Sequence, residues 1–590
     1  MSASTQDAPQ AKAAAHPSLQ VYDTLTKKKR PFETVEPGKV GVYLCGPTVY
    51  DKAHIGHMVG PVIFDCIKRY LSHCGYKVFW VVNITDVDDK LIKKANERGI
   101  TMLEVAEENI QDYNDNLAAL GVDQIDAFPR ATDCMDEIVA LVESLVERGF
   151  AYASEGDVYF DVGKDREYGK LSNRTVDALQ GDGGGQAERK RHAADFALWK
   201  GAKPGEPSWP SPWGDGRPGW HIECSAMSKK LLGETFDIHG GGLDLVFPHH
   251  ENEVAQSECC HGKPMVTYWA HNGLLRSDPS AGKIGGKSDR DGADTAGDAD
   301  ATGDASAGGK MSRSKGAGGL AELIGRQGGE RIRFFLLRTH YRSTVLFSEP
   351  AIEEAGVGLD TFYRFFKRYE RVTGSSFYAL SAPKSREAGA IAAGQCNLLD
   401  RVAELRTKFL AAMDDDFNTG GAIGELFELA RVLNKHCDDA GLETKEAAGR
   451  DLEAFRTATK TLKELASVLG VFIEPPASAA GGGELLGQVM QLVIDLRAES
   501  RKAKNFAVAD AIRDGLKPTG IVLEDRAGGT EWEGGDADAL EGVMQMLIEL
   551  RATSRQNKDF ATADALRDRL TAIGVTIEDR PGGAEWTAAS

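Results

Sequence analysis

The sequence lacks any long apolar run. None of its 590 residues lies in a stretch that approaches the roughly 18 consecutive apolar residues of a membrane-spanning helix, so we expect no membrane association. Cysteine is scarce: nine residues occur, without the spacing of a disulfide framework. Residues 1–20 have no basic and apolar export signal. We therefore predict a disordered tail over 1–20, a cytoplasmic protein, and cysteines that are free thiols or metal ligands.

Positive charge is also in short supply. Lysine and arginine total 70 against 89 acidic residues, a formal net charge of −19, which argues against a non-specific nucleic-acid binder. A local basic surface for RNA remains compatible with this balance. Basic stretches occur at 27–30, 188–191 and 501–504, although any one of them is more often a solvated face than a binding site.

The first half of the chain has the pattern of a βαβ unit. A buried strand is predicted over 40–44, a helix with a 3.6-residue apolar period from His54 to Gly75, and a second buried strand over 78–82. Open α/β sheets bind ligands at the carboxyl ends of such strands. We therefore expect Cys45, Thr48, His54 and His57 around one crevice of a Rossmann-like parallel sheet.

Composition predicts the remaining domains. The α/β domain is expected over 21–276, with an insertion at about 157–210 and a resumed sheet near 236–242. The low-complexity segment 277–309 is too poor in apolar residues to fold, so we predict a disordered insert there. The end of the α/β domain follows at 310–348, and an α-helical bundle is predicted over 349–475.

The C-terminal region contains an internal repeat. Residues 489–532 and 543–586 align without gaps, with 26 of 44 positions identical, so that Phe506 aligns with Phe560. Each copy is predicted to contain two helices followed by a short segment that ends at tryptophan. Two copies are too few for a solenoid, so we interpret 485–532 and 539–590 as a small module present twice.

Four distant side chains have the chemistry of zinc ligands: Cys45, Cys224, His249 and Glu253. Two thiolates, an imidazole and a carboxylate form a good zinc set, and the His249–Glu253 spacing places both on one helix face. A closed site that only stabilises the fold is the alternative. Since the ligands follow distant elements around the predicted crevice, we favour a functional site.

A second motif, His54-Ile55-Gly56-His57, is predicted at a helix N-terminus. Backbone amides, the helix dipole and two imidazoles there favour phosphate, and Gly56 allows close approach of a nucleotide. Lys310-Met311-Ser312-Arg313-Ser314 follows the low-complexity insert. A basic loop there can close over a triphosphate, although alone it would be interpreted as a solvated linker.

Together these motifs resemble those of the class I aminoacyl-tRNA synthetases, and the four presumed ligands match the zinc ligands of the cysteinyl-tRNA synthetases. Further stretches that resemble this family lie over roughly residues 20–532, namely Gly46-Pro47-Thr48-Val49-Tyr50-Asp51, Asn83-Ile84-Thr85-Asp86-Val87-Asp88-Asp89-Lys90, Pro218-Gly219-Trp220-His221-Ile222-Glu223-Cys224-Ser225-Ala226-Met227 and Met413-Asp414-Asp415-Asp416-Phe417-Asn418-Thr419.

The resemblance implies a monomeric cysteine–tRNA ligase. Its substrates would be L-cysteine, ATP with Mg²⁺, and tRNA(Cys), and one Zn²⁺ per subunit would bind the substrate thiolate. It implies ATP contacts from His54, Gly56, His57, Lys310 and Arg313, with His54, His57, Lys310 and Arg313 also catalytic. It further implies an amino-acid pocket formed by Gly46, Thr48, Thr85, Trp220, His239 and Asp244.

The sequence departs from the family pattern in the signature loop and in the C-terminal module. Arg313 replaces the usual lysine, which keeps the charge but not the geometry. The first repeat resembles the family's anticodon-binding module, whose reading positions would be Arg501, Phe506, Asp510 and Asp525. Phe506 replaces the more usual tryptophan, and either ring can stack a base.

Two alternative functions remain open at this point. A cysteine ligase acting on a small amine, as in the mycothiol pathway, resembles the catalytic half but lacks an anticodon module. An RNA-binding paralogue without activity would not need His54, His57 or the four zinc ligands. The second repeat could contact tRNA, replace the first copy or be a surface domain.

Overall fold

The computed structural model describes residues 18–174, 187–277, 319–392, 394–443, 449–476, 483–526, 529–535, 539–580 and 583–588. The predicted insert at 277–309 and the loop containing Lys310 and Arg313 fall almost entirely outside these residues. The chain divides into two compact units, Met1–Glu474 and Pro475–Ser590. In the described part of the chain, no helix is long and apolar enough to cross a membrane.

A four-stranded parallel sheet forms the centre of the first unit. Its strand order is β10-β9-β3-β4, with bounds β3 Lys39–Leu44, β4 Lys77–Val82, β9 Phe236–Gly242 and β10 Val266–Asn272. The last three residues of both β3 and β4 are buried, as their apolar runs predict for a sheet covered on both faces. The α/β fold class with a parallel sheet is therefore confirmed.

Helix α1 (Ile55–His73) is the crossover between β3 and β4. Fourteen of its side chains are buried, because it packs between the sheet and the helices that follow. Gly75 has φ +94 just beyond the C-cap residue Cys74, a conformation that glycine adopts without steric cost. The β3–α1–β4 connection therefore has the predicted course.

A second, antiparallel sheet is inserted between β4 and β9. Its strand order is β5-β6-β7-β8, with bounds β5 Ala151–Ser154, β6 Asp157–Phe160, β7 Phe196–Gly201 and β8 Gly216–Pro218. The strands of this sheet thus begin before and end after the predicted insertion at 157–210. Its β6 side chains are all buried, so this short strand shows no alternation in burial that could define a boundary.

In its described residues, the first unit also contains helices and two small strand pairs. The pairs are β1 with β2 and β11 with β12, with bounds β1 Gln20–Asp23, β2 Lys28–Pro31, β11 Leu275–Ser277 and β12 Val345–Phe347. The helices are α2 Asp89–Arg98, α3 Met102–Ala119, α4 Met135–Glu147, α5 Trp220–Leu232, α6 Glu251–His261, α7 Leu320–Gln327 and α8 Gly329–Leu337. The bundle helices are α9 Glu349–Thr373, α10 Asn397–Asp414, α11 Thr419–Asp439 and α12 Gly449–Leu469.

The N-terminal segment is attached to this bundle. Residues 18–20 belong to the tail predicted over 1–20 but lie in the described part of the chain, where Leu19 is fully buried and the Ser18 hydroxyl donates to Asp414 at 2.7 Å. Asp414 also accepts two hydrogen bonds of 2.8 Å from Arg386. These contacts connect the start of the chain with the end of α10.

The second unit contains both copies of the repeat, each a helix pair followed by a hairpin. The first copy comprises α13 Gly483–Lys502, α14 Phe506–Leu516, β13 Ile521–Arg526 and β14 Gly529–Gly534. The second comprises α15 Ala539–Gln556, α16 Phe560–Ala572, β15 Val575–Arg580 and β16 Gly583–Ala588. Buried residues of both copies belong to one hydrophobic cluster, so the modules are packed together rather than strung along the chain.

Candidate active site

The structure brings together Cys45, Cys224, His249 and Glu253 at the carboxyl edge of the parallel sheet. One ligand atom from each lies within 4.8 Å of the other three. Cys45 directly follows β3, whereas Cys224 lies in α5 and Glu253 in α6. His249 lies in the short π-turn Val246–His250 that precedes α6, and its side chain still meets Glu253.

The spacing of these atoms fits a tetrahedral metal site. With metal–ligand bonds of 2.0–2.3 Å, neighbouring ligand atoms should lie about 3.3–3.8 Å apart. The two Sγ atoms are 3.9 Å apart, and Cys45 Sγ lies 3.6 Å from Glu253 Oε1. His249 Nε2 lies 3.1 Å from the same oxygen. Cys45 is partly exposed while the other three are buried, so the cluster has an accessible side.

The charges of the cluster suit a cation. The hydrogen bond with Cys45 lowers the pKa of Cys224 to about 6, while burial and the neighbouring Cys224 raise that of Cys45. Burial opposes ionisation of Glu253, but His239 and His249 lower its pKa to about 2. A thiolate and a carboxylate thus converge in a buried space, where a divalent cation would compensate their charge.

Two further predicted residues border the cluster. The indole of Trp220 stacks on His249, with ring centroids 4.3 Å apart. His239, in β9, contacts Glu253 Oε2 through its Nε2 at 3.0 Å. These contacts fix the orientation of two of the four side chains, as partners beyond the ligands commonly do in metal sites.

Three histidines that sequence reasoning missed extend the cluster. His221 Nδ1 lies 2.9 Å from His249 Nδ1, and His250 Nε2 lies 3.3 Å from Cys45 Sγ. His271 contacts His250 at 2.7 Å. Cys45, His239, His250 and Glu253 also have the spacing of a metal-binding group. Since the chain has only 13 histidines, their concentration near the predicted ligands was the available signal.

The His54-Ile55-Gly56-His57 motif caps helix α1. His54 Nδ1 accepts from the Gly56 N–H at 3.1 Å, and the His54 N–H donates to His57 Nδ1 at 3.4 Å. The two rings stack with centroids 3.7 Å apart. A Cβ on Gly56 would lie 2.9 Å from the His54 ring, so glycine is needed for this arrangement.

The other residues predicted to form the amino-acid pocket lie at the ends of three strands. Gly46 donates to the Asn83 side chain at 2.9 Å, and a Cβ there would overlap the Asn83 carbonyl. Thr48 and Thr85 form a parallel bridge just beyond β3 and β4. Asp244 is exposed and lies two residues beyond β9. These positions share the sheet edge with Cys45.

Comparison with known proteins connects this geometry with a family. The models described as the class I (C) tRNA synthetase catalytic domain, the DALR domain and the cysteinyl-tRNA ligase anticodon binding domain match residues 31–282, 408–473 and 537–586. The cysteine–tRNA ligase of Brevibacillus brevis is 44% identical over 517 residues, which are 87% of this chain and 99% of that protein. The chain belongs to the cysteine–tRNA ligase family.

Other relatives agree with this assignment. The cysteine–tRNA ligase of Heliobacterium modesticaldum is 44% identical over 520 residues, or 88% of this chain and 99% of the relative. The Mycobacterium tuberculosis methionyl-tRNA synthetase structure has a TM-score of 0.51 at 14% identity and covers 76% of this chain and 94% of its own. That likeness concerns the fold, which is the class I synthetase fold. The catalytic-domain model and the cysteine–tRNA ligase relatives show that the chain is a class I aminoacyl-tRNA synthetase.

The anticodon family model matches the second copy of the repeat in this chain, whereas the residues predicted from the resemblance lie in the first. Arg501 donates to Asp525 at 2.7 Å, and Asp510 pairs with Arg513 at 3.2 Å. Phe506 is exposed at the start of α14. The structure thus brings Arg501 and Asp525 together, and both copies have the same helix–helix–hairpin course.

Proposed function

We propose that the chain joins L-cysteine to the 3′ end of tRNA(Cys) in two steps, with cysteinyl-adenylate as the intermediate. The observation that carries this proposal is the convergence of Cys45, Cys224, His249 and Glu253 on the sheet edge that also bears the His54–His57 motif. Cysteine–tRNA ligase relatives that match over most of the chain support the amino acid and the tRNA.

Zn²⁺ held by these four side chains would supply a Lewis acid that binds the substrate thiol as thiolate. The protein's own side chains would orient the metal ligands. Trp220 and His221 hold the His249 ring from two sides, and His239 holds Glu253. The partly exposed side of the cluster at Cys45 is the direction from which we expect the substrate to enter.

This ligand set explains how serine would be rejected. The serine hydroxyl remains protonated at neutral pH, and its oxygen is a harder donor than sulfur. An apolar pocket separates near-isosteres by only roughly 100-fold. A site that requires a thiolate as ligand can discriminate more strongly.

In the first step the cysteine carboxylate attacks the α-phosphorus of ATP. A carboxylate–phosphorus bond forms as the bond to pyrophosphate breaks. His54 and His57, at the positive end of α1, would donate to phosphate oxygens as their charge increases. Lys310 and Arg313, together with the Mg²⁺ carried by ATP, would neutralise the departing pyrophosphate.

In the second step a hydroxyl of the terminal ribose of tRNA attacks the adenylate carbonyl. The new ester bond forms as AMP leaves with the electron pair of the mixed anhydride. Gly46, Thr48, Thr85 and Asp244 border the amino-acid pocket in this proposal, and Asp244 would hold the ammonium group. The protein contributes mainly positioning. We propose that it acts in the cytoplasm, as the sequence of residues 1–20 indicates, and as a monomer, as the family resemblance implies.

Charging of tRNA(Cys) with labelled cysteine tests the proposal. With ATP, Mg²⁺ and Zn²⁺ present, we expect cysteinyl-tRNA to form and serine to be a much poorer substrate. Cysteine-dependent exchange of pyrophosphate into ATP measures the first step alone. Exchange without charging would instead indicate a cysteine ligase for a small amine, and absence of both reactions would refute the proposal.

A further inference from the structure

A carboxylate at the start of α2 connects two parts of the first unit. Asp89 is the first residue of α2, and three residues separate it from Thr85 of the predicted amino-acid pocket. Thr85 is held at the sheet edge by its backbone. Its N–H donates to the Pro47 carbonyl at 3.2 Å, and its carbonyl accepts from the Val49 N–H at 3.2 Å. The start of α2 therefore follows directly on a fixed wall of the pocket.

Two cations of the antiparallel sheet β5–β8 contact this carboxylate. Lys200 in β7 and Arg217 in β8 are directly opposite each other in the strand pair. Like charges in that position destabilise a sheet unless an anion compensates them. Lys200 Nζ donates to Asp89 Oδ2 at 2.9 Å, and Arg217 Nη2 donates to Asp89 Oδ1. Asp89 therefore neutralises both and ties this sheet to α2.

Arg217 depends on Asp89 more than Lys200 does. Arg217 is 3% exposed, whereas the Lys200 side chain is 23% exposed. A buried guanidinium is costly unless acceptors compensate its charge. Glu206 also lies near Arg217, but its Oε2 is 3.6 Å from Arg217 Nε, which is too long for a good hydrogen bond. Loss of the Asp89 carboxylate should therefore displace Arg217.

A displacement of Arg217 would reach Trp220, because only two residues separate them. A Cβ on one of these, Gly219, would lie 1.9 Å from the Ala197 carbonyl oxygen, so the backbone between Arg217 and Trp220 is packed directly on β7. Trp220 begins α5, and its indole stacks on His249. The position of Arg217 therefore determines the position of a second residue of the predicted pocket.

Charge pairing rather than apolar packing makes the connection between α2 and this sheet. A cavity of about 440 Å³ borders Asp89, Lys200 and Arg217, and four of the six other residues that line it are charged. Apolar side chains that could fix the distance between the two elements are thus scarce around the ion pairs. The carboxylate of Asp89 is the group that both cations share.

We propose that Asp89 is a positioning residue for the amino-acid substrate. Its carboxylate holds Lys200 and Arg217 and thereby fixes Trp220 relative to Thr85. The inference rests on the proposed cysteine–tRNA ligase function and deepens it. Asp89 acts through the two pocket residues and not on the reacting atoms, so its loss should weaken the binding of cysteine and leave the binding of ATP unchanged.

The steady-state kinetics of cysteine-dependent pyrophosphate exchange by the full chain test this role. Asp89→Asn should raise the KM for cysteine about tenfold, because misplaced pocket side chains lose contact with the substrate. The KM for ATP and kcat should stay within about twofold of wild type. Asp89→Glu keeps the charge and should restore most of the affinity for cysteine. Zinc content should equal that of wild type in both variants.

A matched control is Glu354→Gln. Glu354 pairs with Arg338 at 3.1 Å in another part of the same unit, so this variant also removes a carboxylate from an ion pair with an arginine. It should leave both KM values unchanged. Lys200→Met removes one of the two ion pairs of Asp89 and should raise the KM for cysteine about threefold. It supplies the measurement if Asp89→Asn does not fold.

A double-variant cycle tests whether Asp89 acts through Trp220. Trp220→Phe keeps an aromatic ring at this position but should itself raise the KM for cysteine. If Asp89 acts through Trp220, Asp89→Asn should have a smaller effect on this KM in the Trp220→Phe background than in wild type. Equal effects in the two backgrounds would overturn the proposed route through Trp220.

The remaining outcomes separate the inference from the proposed function. An unchanged KM for cysteine in Asp89→Asn would overturn the inference, as would equal increases in the KM for cysteine and for ATP. A fall in kcat alone, or a loss of zinc, would indicate a general structural role and would also contradict it. If the wild type itself catalyses no cysteine-dependent exchange, the proposed function fails, and the inference fails with it.

Discussion

Cys45 and Cys224 lie 179 residues apart in the chain, yet their Sγ atoms are 3.9 Å apart. The parallel pairing of β3 with β9 and the position of α5 create this proximity. Since neither cysteine has the other as a neighbour in the unfolded chain, metal binding should be coupled to folding of the first unit.

The first prediction concerns this pair. Cys224→Ser should lower the zinc content of the purified protein from about one ion per chain toward zero, because a hydroxyl replaces a thiolate ligand. Mass spectrometry of the metal after exhaustive dialysis measures the change. Cys396→Ser, at a half-buried thiol of the bundle, is the matched control. Equal zinc in both variants would exclude Cys224 as a ligand.

The second prediction separates two roles of His54. His54→Ala should lose about 1 kcal/mol of stability with the helix cap, whereas His54→Asn keeps a capping side chain. Both variants should slow cysteine-dependent pyrophosphate exchange by about 100-fold if the imidazole stabilises the transition state. Thermal unfolding and exchange rates give the two readouts.

A matched control exists for this substitution. His192 Nδ1 accepts a hydrogen bond from the Ala194 N–H at 3.2 Å, the same local arrangement as in His54. His192→Asn should leave the exchange rate unchanged. Full exchange activity in His54→Asn would contradict a catalytic role for the His54 ring.

The third prediction concerns Asp414 and pH. Burial opposes ionisation of Asp414, but hydrogen bonds from Arg386, Tyr70 and Ser18 overcome it and lower its pKa. Stabilisation by the carboxylate is therefore present above its unfolded pKa of about 3.9 and is lost as pH falls through the lower folded value. Asp414→Asn should cost about 3 kcal/mol at pH 7.

Urea unfolding at several pH values measures this effect. The difference in free energy of unfolding between wild type and Asp414→Asn should decrease as pH falls below about 4. Asp415→Asn is the control, since this neighbouring carboxylate is 59% exposed in its pair with Lys29, and should cost less than about 1 kcal/mol. If this difference in free energy of unfolding stayed constant down to pH 3, the charge of Asp414 would not be the cause of the stabilisation.

The fourth prediction concerns the core of the second unit. Leu547 is fully buried in the cluster formed by both copies, and Leu547→Ala should cost about 2–5 kcal/mol. Amide hydrogen exchange should accelerate in α13 and α14 as well as in α15 and α16. Acceleration confined to the second copy would mean that the modules unfold independently. Val522→Ala, at a 61% exposed side chain of the same unit, is the control and should leave the exchange rates unchanged.

Much of the first unit could be predicted because its elements have strong local signals. The apolar runs at β3 and β4 identify buried strands, and the period of α1 identifies a helix. The chemistry of Cys45, Cys224, His249 and Glu253 indicated a metal site before the fold was known. Residue type and strand order were sufficient to predict that these four side chains lie close together, because the carboxyl ends of parallel strands meet at one sheet edge.

Other features depend on tertiary contacts that no local pattern contains. His271 joins the cluster only because β10 pairs with β9 and brings it to within 2.7 Å of His250. Leu19 is buried in the core of the first unit, and the neighbouring Ser18 is held by Asp414 at the end of α10. A helical period identifies the buried face of α14 but not its partner, so the packing of one copy on the other could not be derived from the repeat.

The packing of the two copies has an evolutionary consequence. A newly duplicated segment is ordinarily dispensable, and a deletion returns the gene to its earlier length at no cost. Once Leu516 and Met544 share one interior, removing either copy exposes apolar surface on the other. Selection on folding alone then preserves both copies of the duplicated segment, whichever of them contacts RNA.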